Sequence, residues 1–395
     1  VSGAVTEDRR GPLAAFRIVA IANGVAAAYA ARMLGAMGAK VLLIEPVGGS
    51  PLRREPPFLP SEHGAKASEQ SALFAYLAAG MDSEVIDLSS APGPETLALR
   101  LAGADIFIDD TPVPERAAFG TDEAAVAALF PGLVHVSVLS FGAYGPKADW
   151  KGEDVVIQHA GGEGNLLPNG LAVEMFPDRA PLKIGGHFGA MQGGIAAALG
   201  ALAALWARPD AGGQAVDVSS QDAMLAVGAF AIQRLGDGSI EHRVERSFRY
   251  GGVIPCADGY LELLTLEQRQ WDGLVELLGR PEWALDPALG GNIERSRRGP
   301  EINRHIREWA LVRRVDDIVS AGQKLGVPLA RYKTPAEILG GGQEAHRGLF
   351  QRVEVEGPGS LGVLVSPFHF EGRALALRAG PPVLAHCSAP LAVGS

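Results

Sequence analysis

FRIVAIANGVAAAYAARMLGAMGAKVLLIE, residues 16–45, decides the fold class. Residues 16–22 and 40–45 are short apolar runs rich in Val and Ile, the composition of buried strands. Between them, residues 26–37 place Ala, Tyr, Met and Leu at helical spacing. Strand, crossover helix and strand make a βαβ unit, and apolar runs at both ends imply a parallel sheet covered on both faces. The bend Asn23-Gly24 lacks GxGxxG, so a dinucleotide site is not supported.

Outward from this unit the alternation continues. Residues 47–66 read as a surface loop, followed by a helix near 68–79 and a strand at 84–88. Helices at 95–101 and 123–129 alternate with strands at 106–109 and 133–139, and a Gly/Pro loop covers 141–152. Residues 195–207 are an Ala-rich helix former that Pro209 to Gly213 should end, with a strand at 215–219 and a long connecting helix at 222–235. Residues 250–264 have hairpin character with Asp258-Gly259 at the turn. Amphipathic helices at 268–278, 301–311 and 315–325, an extended segment at 327–334, and strands at 349–355 and 361–367 complete the chain. The expected organisation is a Rossmann-like, doubly wound α/β large domain (1–207), a linker and connecting helix (208–240), and a smaller α+β domain (241–330). Residues 331–395 then return to the large domain.

The 395 residues carry 35 basic and 45 acidic side chains, a net charge of −10, which argues against a nucleic-acid or anionic-membrane surface as partner. Cys256 and Cys387 belong to no CxxC or Cys/His cluster, so no zinc site or disulfide framework is suggested and the compartment reads as reducing cytosol. The most apolar run, residues 195–206, falls short of the roughly 20 residues that span a bilayer.

Five segments, in order, carry a resemblance over most of the chain: AARMLGAMGAKVLLIEPVGGSPLRR (30–54), PGLVHVSVLSFGAYGP (131–146), GALAALWARPDAGGQAVDVSSQDAML (200–225), PCADGYLEL (255–263) and GVPLARYKT (326–334). Together they resemble the family III CoA-transferases of the CaiB/BaiF type. The resemblance implies interlocked ring-shaped protomers in a dimer, and a covalent mechanism in which an aspartate attacks an acyl-CoA thioester. Anhydride and aspartyl-CoA intermediates then pass CoA to an acceptor acid. CoA thioester is thus a substrate, and no cofactor is held covalently.

Counting back from GALAALWAR puts the nucleophile at Ala190, and a one-residue gap would put it at Gly189, which cannot serve either. Other departures point the same way. The family's first-turn Asp and Ala-Gly-Pro appear as Ala20 and Ala26-Ala27-Ala28. A cationic Asn-Arg-Gly-Lys segment appears as Ala78-Ala79-Gly80-Met81, and a nucleotide-facing Glu-Asn-Phe-Arg-Pro-Gly as Asp109 to Pro114. Each lost charge-assisted contact to a phosphate costs on the order of 1.5–3 kcal/mol. Arg53, Arg54 and Lys147 are the basic positions left for a residual CoA site.

Two surrogates for the missing carboxylate stand among the remaining side chains. Glu163 in AGGEGN is a surrogate carboxylate or a solvated loop residue, and His187 a replacement base or a structural histidine. Glu153 stands where a racemase carries its catalytic histidine, so racemase chemistry lacks both acid/base groups. Arg243, Arg246 and Arg249 with Tyr250 form a basic cluster or a solvated face. Asp217 and Asp222 read as capping or packing groups, and Cys256 as buried.

The resemblance therefore implies a non-catalytic subunit in an interlocked heterodimer or larger assembly, whose homologous partner supplies the aspartate. It implies transfer of CoA from a donor such as succinyl-CoA to an acid such as (R)-benzylsuccinate. A self-sufficient homodimeric transferase, racemase or lyase, and a binding protein without catalysis, remain as alternatives.

Overall fold

The structure is a computed structural model that describes residues 11–60, 67–167, 180–228, 250–355, 359–371 and 373–384. Two compact units are formed, Val1–Gly164 with Lys183–Gly238 and Gly342–Ser395, and Asn165–Leu182 with Ser239–Gly341.

The first unit is built on a six-stranded parallel sheet. Its strands are β1 (Arg17–Ile21), β2 (Lys40–Glu45), β3 (Asp82–Val85), β4 (Ile106–Asp109), β5 (Val134–Leu139) and β6 (Ala215–Ser219), in the order β3-β2-β1-β4-β5-β6. Strand order reverses between β1 and β4, the place where an open α/β sheet leaves a crevice at its carboxyl edge. The helices are α1 (Val25–Ala36), α2 (Ala72–Leu77), α3 (Pro92–Leu101), α4 (Val113–Phe119), α5 (Glu123–Leu129), α6 (Asp154–Ala160), α7 (Glu163–Leu166), α8 (Phe188–Ala211) and α9 (Ser220–Gly228). Ile18, Ala20, Ile106, Ile108, Val134, Val136 and Val138 bury one sheet face against α1 and α8, while Val19, Ile21, Leu42, Ile44 and Phe107 bury the other with Leu97, Leu101 and Val126. The sheet is thus covered on both faces, as its apolar strands require.

α8 differs from the sequence expectation. It begins seven residues before Ile195 and runs through Pro209, so Gly189 and Ala190 lie in its first turn rather than in a turn before it. The cause is packing. Its buried face is Gly189, Ala190, Gly193, Gly194, Ala197, Ala198, Ala201 and Ala204, set against the Ala27, Ala30, Ala31 and Leu34 face of α1. A Cβ on Gly194 would stand 2.6 Å from Ala26 O, and one on Gly193 2.1 Å from Ser220 Oγ. Such contact makes helical a stretch that glycine alone would weaken by about 1 kcal/mol per residue. By length and composition α8 is also apolar enough to cross a membrane, with a mean hydropathy of 1.6, but its small-residue face is buried on α1.

The other boundaries move less. The helix expected near 68–79 is shorter, α2, and follows an extended stretch Ala67–Ser71 whose last residue caps it, Ser71 Oγ accepting from Phe74 N at 3.0 Å. The connecting helix expected over 222–235 is described as α9 up to Gly228, and the rest lies outside the described residues.

The second unit pairs the hairpin Gly252–Cys256 and Gly259–Leu263 with Leu329–Arg331, all antiparallel. Ile302, Ile306 and Ala310, at four-residue spacing on the helix Gly299–Ala310, join Trp271, Leu274, Val315 and Ile318 in its core. Arg331 ties this unit's loops together through Asp258 O, Asp316 and Glu337.

Returning to the first unit, Phe350–Val355 pairs antiparallel with Gly359–Leu364, and their Val353, Val355 and Val363 pack with Leu59, Ala75 and Ala79. Buried Arg32 of α1 donates to Tyr76 O at 3.1 Å and to Leu364 O at 2.7 Å, fastening this C-terminal hairpin to the first helix.

Gly194→Val is expected to destabilise the protein by about 1–3 kcal/mol, because the new methyls enter the α1 backbone and overpacking outweighs any gain in helix propensity. Urea denaturation reads this as a lower midpoint, and an unchanged midpoint would mean that the helices can move apart.

Candidate active site

α8 leads directly into β6, and α6 follows the loop that leaves the end of β5. Both helices therefore open at the carboxyl edge of the sheet, where parallel α/β folds place their chemistry. The N-cap residue of α8, His187, makes no side-chain cap. Its role is taken by Asp154, the first residue of α6, whose Oδ1 accepts from Ala190 N at 2.9 Å. The other oxygen, Oδ2, accepts from Gln158 Nε2 at 2.6 Å and lies 2.9 Å from Lys183 Nζ. Gln158 is fully buried and is held by Ile184, whose N–H donates to Gln158 Oε1 at 2.9 Å. Lys183 Nζ also donates to Ile184 O, at 3.1 Å, and to Gly186 O.

Where the sequence comparison places a nucleophilic carboxylate, the chain has a methyl group. The positive end of the helix, an anion site by its dipole and its free N–H groups, already holds a carboxylate from another helix. Asp154 and Lys183 are the residues that the sequence reading passed over. The signal was present: an acidic residue at a helix start with Gln four residues on.

A second helix N-terminus is filled in the same manner. Asp110, just past β4, accepts from Gly24 N, the N-cap of α1, with its Oδ2 at 2.6 Å, and its Oδ1 is buried without a partner. Burial pushes this carboxyl up to about 7, against the Asn23 and Gly24 N–H groups that favour its ionised form. Beside it a cleft of about 250 Å³ opens along the ends of β1, β2, β3 and β4. Its polar lining is Asn23, Glu45, Asp87, Ser89, Thr111 and Glu115, with no lysine or arginine among the described residues.

Each of the three residual cations has a partner within the chain, although Arg54 is exposed. Arg53 makes two bonds of 2.6 Å to Glu45, reaches Pro382 O at 3.1 Å and stacks 4.1 Å from the Phe74 ring centroid. Burial alone would raise the Glu45 carboxyl, but Arg53, Ser50 N and Ser83 Oγ hold it below the usual range. Arg54 donates to Gly48 O at 3.0 Å. Lys147 sits over the rings of Phe141 and Trp150, 5.4 and 5.3 Å from their centroids.

The remaining candidates are spread more widely. Glu163 opens α7 rather than lying in a loop, and burial raises its carboxyl. Glu153 is the N-cap of α6 and exposed. Asp217 Oδ1 accepts from Ala143 N at 2.8 Å and thereby holds the Gly/Pro loop, while Asp222 N donates to Ser219 Oγ at 3.1 Å. Ala78, Ala79 and Met81 are buried in the core, which explains why no cation stands there. Asp109 is buried beside Arg116 and His135, each 3.7 Å away. Cys256 is buried, and among the described residues no group of His, Cys, Asp and Glu has the arrangement of a metal site. Arg243, Arg246, Arg249 and Cys387 lie outside the described residues; Tyr250 is buried.

A family model described as CoA-transferase family III matches residues 13–386. Probable CoA-transferase Rv1866 of Mycobacterium tuberculosis is 29% identical over 89% of this chain, which spans only 43% of that relative's length. The succinyl-CoA:(R)-benzylsuccinate CoA-transferase subunit BbsE of Thauera aromatica is 28% identical, with 85% of this chain and 82% of that one covered. Among solved structures, a CaiB/BaiF family protein from Brucella suis superposes with a TM-score of 0.81 at 27% identity, covering 95% of this chain and 97% of that one.

The raised Asp110 carboxyl makes stability depend on pH. Its folded value, about 7, lies above the ordinary 3.8, so the contribution of the protonated form is complete below about pH 4 and is lost as pH rises through 7. Asp110→Asn cannot ionise, and its stability relative to the parent is expected to grow by about 1–3 kcal/mol between pH 5 and pH 8. Urea midpoints at the two pH values measure this, and a parallel pH response in both proteins would refute it.

Proposed function

The chain belongs to CoA-transferase family III, and from that membership we propose that it is the non-catalytic subunit of a heteromeric transferase. A homologous sister chain supplies the aspartate nucleophile and the intact CoA site. The observation that carries this reading is the pairing of Asp154 Oδ1 with Ala190 N: the nucleophile's place is a methyl, and the helix dipole that would stabilise an attacking carboxylate is already neutralised. The pairing of Arg53 with Glu45 and the acidic lining of the cleft support it further, since CoA phosphates need free cations.

A partner is supported by the surface of the first unit. Ile195, Leu199 and Trp206 share one face of α8 and are 42, 68 and 89% exposed; Val155 and Val156 of α6 and Leu225 and Val227 of α9 are exposed as well. Large apolar side chains in such number on packed helices mark an association face. The kinship with BbsE, a subunit by its name, supports a sister chain over a second copy, and supports succinyl-CoA as donor and (R)-benzylsuccinate as acceptor. In that complex the sister's carboxylate attacks the donor thioester, releasing CoA thiolate and forming an anhydride. The thiolate then attacks the aspartyl carbonyl and expels the donor acid; the acceptor carboxylate and the thiolate repeat the two steps in reverse.

The test is purification of the untagged protein from its source. A chain of similar length and the same fold, bearing Asp at the position of Ala190, is expected to co-elute, and transfer from succinyl-CoA should require both chains. Turnover by the lone chain, or a homodimer as the sole species, would sink the proposal and favour a self-sufficient enzyme acting through Glu163, His187 or another group.

A further inference from the structure

The cleft at the carboxyl ends of β1, β2, β3 and β4 combines apolar walls with charges of one sign. Ile21 and Ile44 end their strands in it, Ile86 follows β3, and Phe119 closes it from α4. Its volume of about 250 Å³ lies below the roughly 300–1,000 Å³ of sites for drug-sized molecules, which suits a small ligand. Three carboxylates line it, Glu45, Asp87 and Glu115, and they are not equivalent. Glu45 is committed to Arg53, Ser50 N and Ser83 Oγ. Asp87 and Glu115 are exposed, and the described lining offers a cation to neither. Ser89 N and Ser89 Oγ both donate to Asp87 Oδ1, at 3.0 and 2.6 Å, which holds that carboxyl below its usual range and keeps it ionised. Asn23, also in the lining, adds an acceptor that the fold leaves unmet: its Oδ1 is buried with no donor.

We propose that this cleft binds a small organic cation, an apolar primary amine or amidine. Its charged N–H end is held by Asp87 and Glu115 and its hydrocarbon part lies against Ile21, Ile44 and Ile86. Two carboxylates without a counter-cation, set in a cleft with low-dielectric walls, concentrate a negative potential there and select against anions. The apolar walls select against a hydrated metal ion, and among the described residues no group of His, Cys, Asp and Glu has the arrangement to hold one. An ammonium on a hydrocarbon body satisfies both features at once. The inference does not depend on whether the chain is catalytic. Cation binding could persist in a self-sufficient transferase and be missing from an idle subunit, so the two readings fail separately.

The experiment is calorimetric titration of the full chain with benzylamine, an ammonium ion at neutral pH, and with benzyl alcohol, benzoate and ADP. Benzylamine is expected to bind saturably with a dissociation constant on the order of 1 mM. Benzyl alcohol should bind at least about tenfold more weakly, and benzoate and ADP not at all. Asp87→Asn and Glu115→Gln should each weaken benzylamine about five- to tenfold. Glu123→Gln, which removes the same charge from an exposed position on α5 outside the cleft, should leave it unchanged. In the parent protein the amide resonances of Ser89 and Thr111 should move on adding benzylamine, which places the ligand without any variant. Equal binding of the alcohol, binding of ADP in preference to the amine, an equal loss in Glu123→Gln, or resonance shifts confined to other regions would each overturn the proposal.

Discussion

The close approach of α1 and α8 is the constraint on which the first unit depends. Glycine and alanine line the contact, and Gly194 leaves less than a normal contact distance to the Ala26 carbonyl for any added carbon. Helices that meet through small residues cannot slide without opening voids or driving side chains into backbone. The start of α8 is therefore fixed relative to β1, α1 and the carboxyl edge of the sheet. Everything at the candidate site, from the Ala190 N–H to the Asp154 carboxylate, takes its position from this contact.

Once the scaffold is fixed, the electrostatics of the edge follow from which charges are already paired. Two of the helix N-termini at this edge receive a carboxyl group from within the chain, α8 from Asp154 and α1 from Asp110. Of the remaining cations Arg53 is tied down most completely, between Glu45 and the Phe74 ring. A ligand rich in phosphate would meet neutralised dipoles and an acidic cleft instead of open donors.

Much of this was legible in the sequence. The βαβ unit at residues 16–45 and the hairpin turning at Asp258-Gly259 follow from patterns within a few tens of residues. The start of α8 did not, because Phe188 to Gly194 continues a glycine-rich stretch with the local composition of a turn and is made helical by a partner helix some 160 residues earlier in the chain. Asp154 was missed for a similar reason. Its two decisive partners, Lys183 and Ala190, are distant in sequence, whereas Glu153, its neighbour, drew notice as a positional match. Arg53 read as a free cation because the Glu45 that binds it appeared only as the last residue of a strand.

The small-residue contact between α1 and α8 has a consequence for how such a chain can change over time. Exposed side chains around the cleft can be exchanged with little harm to folding. On the helix contact, nearly every substitution adds volume that the interface has no room to accept, and at Gly194 even one methyl would meet the Ala26 carbonyl. Such a fold is free to drift at its open edge and held at its featureless positions, so its most durable mark of kinship is a register of methyl groups and hydrogens.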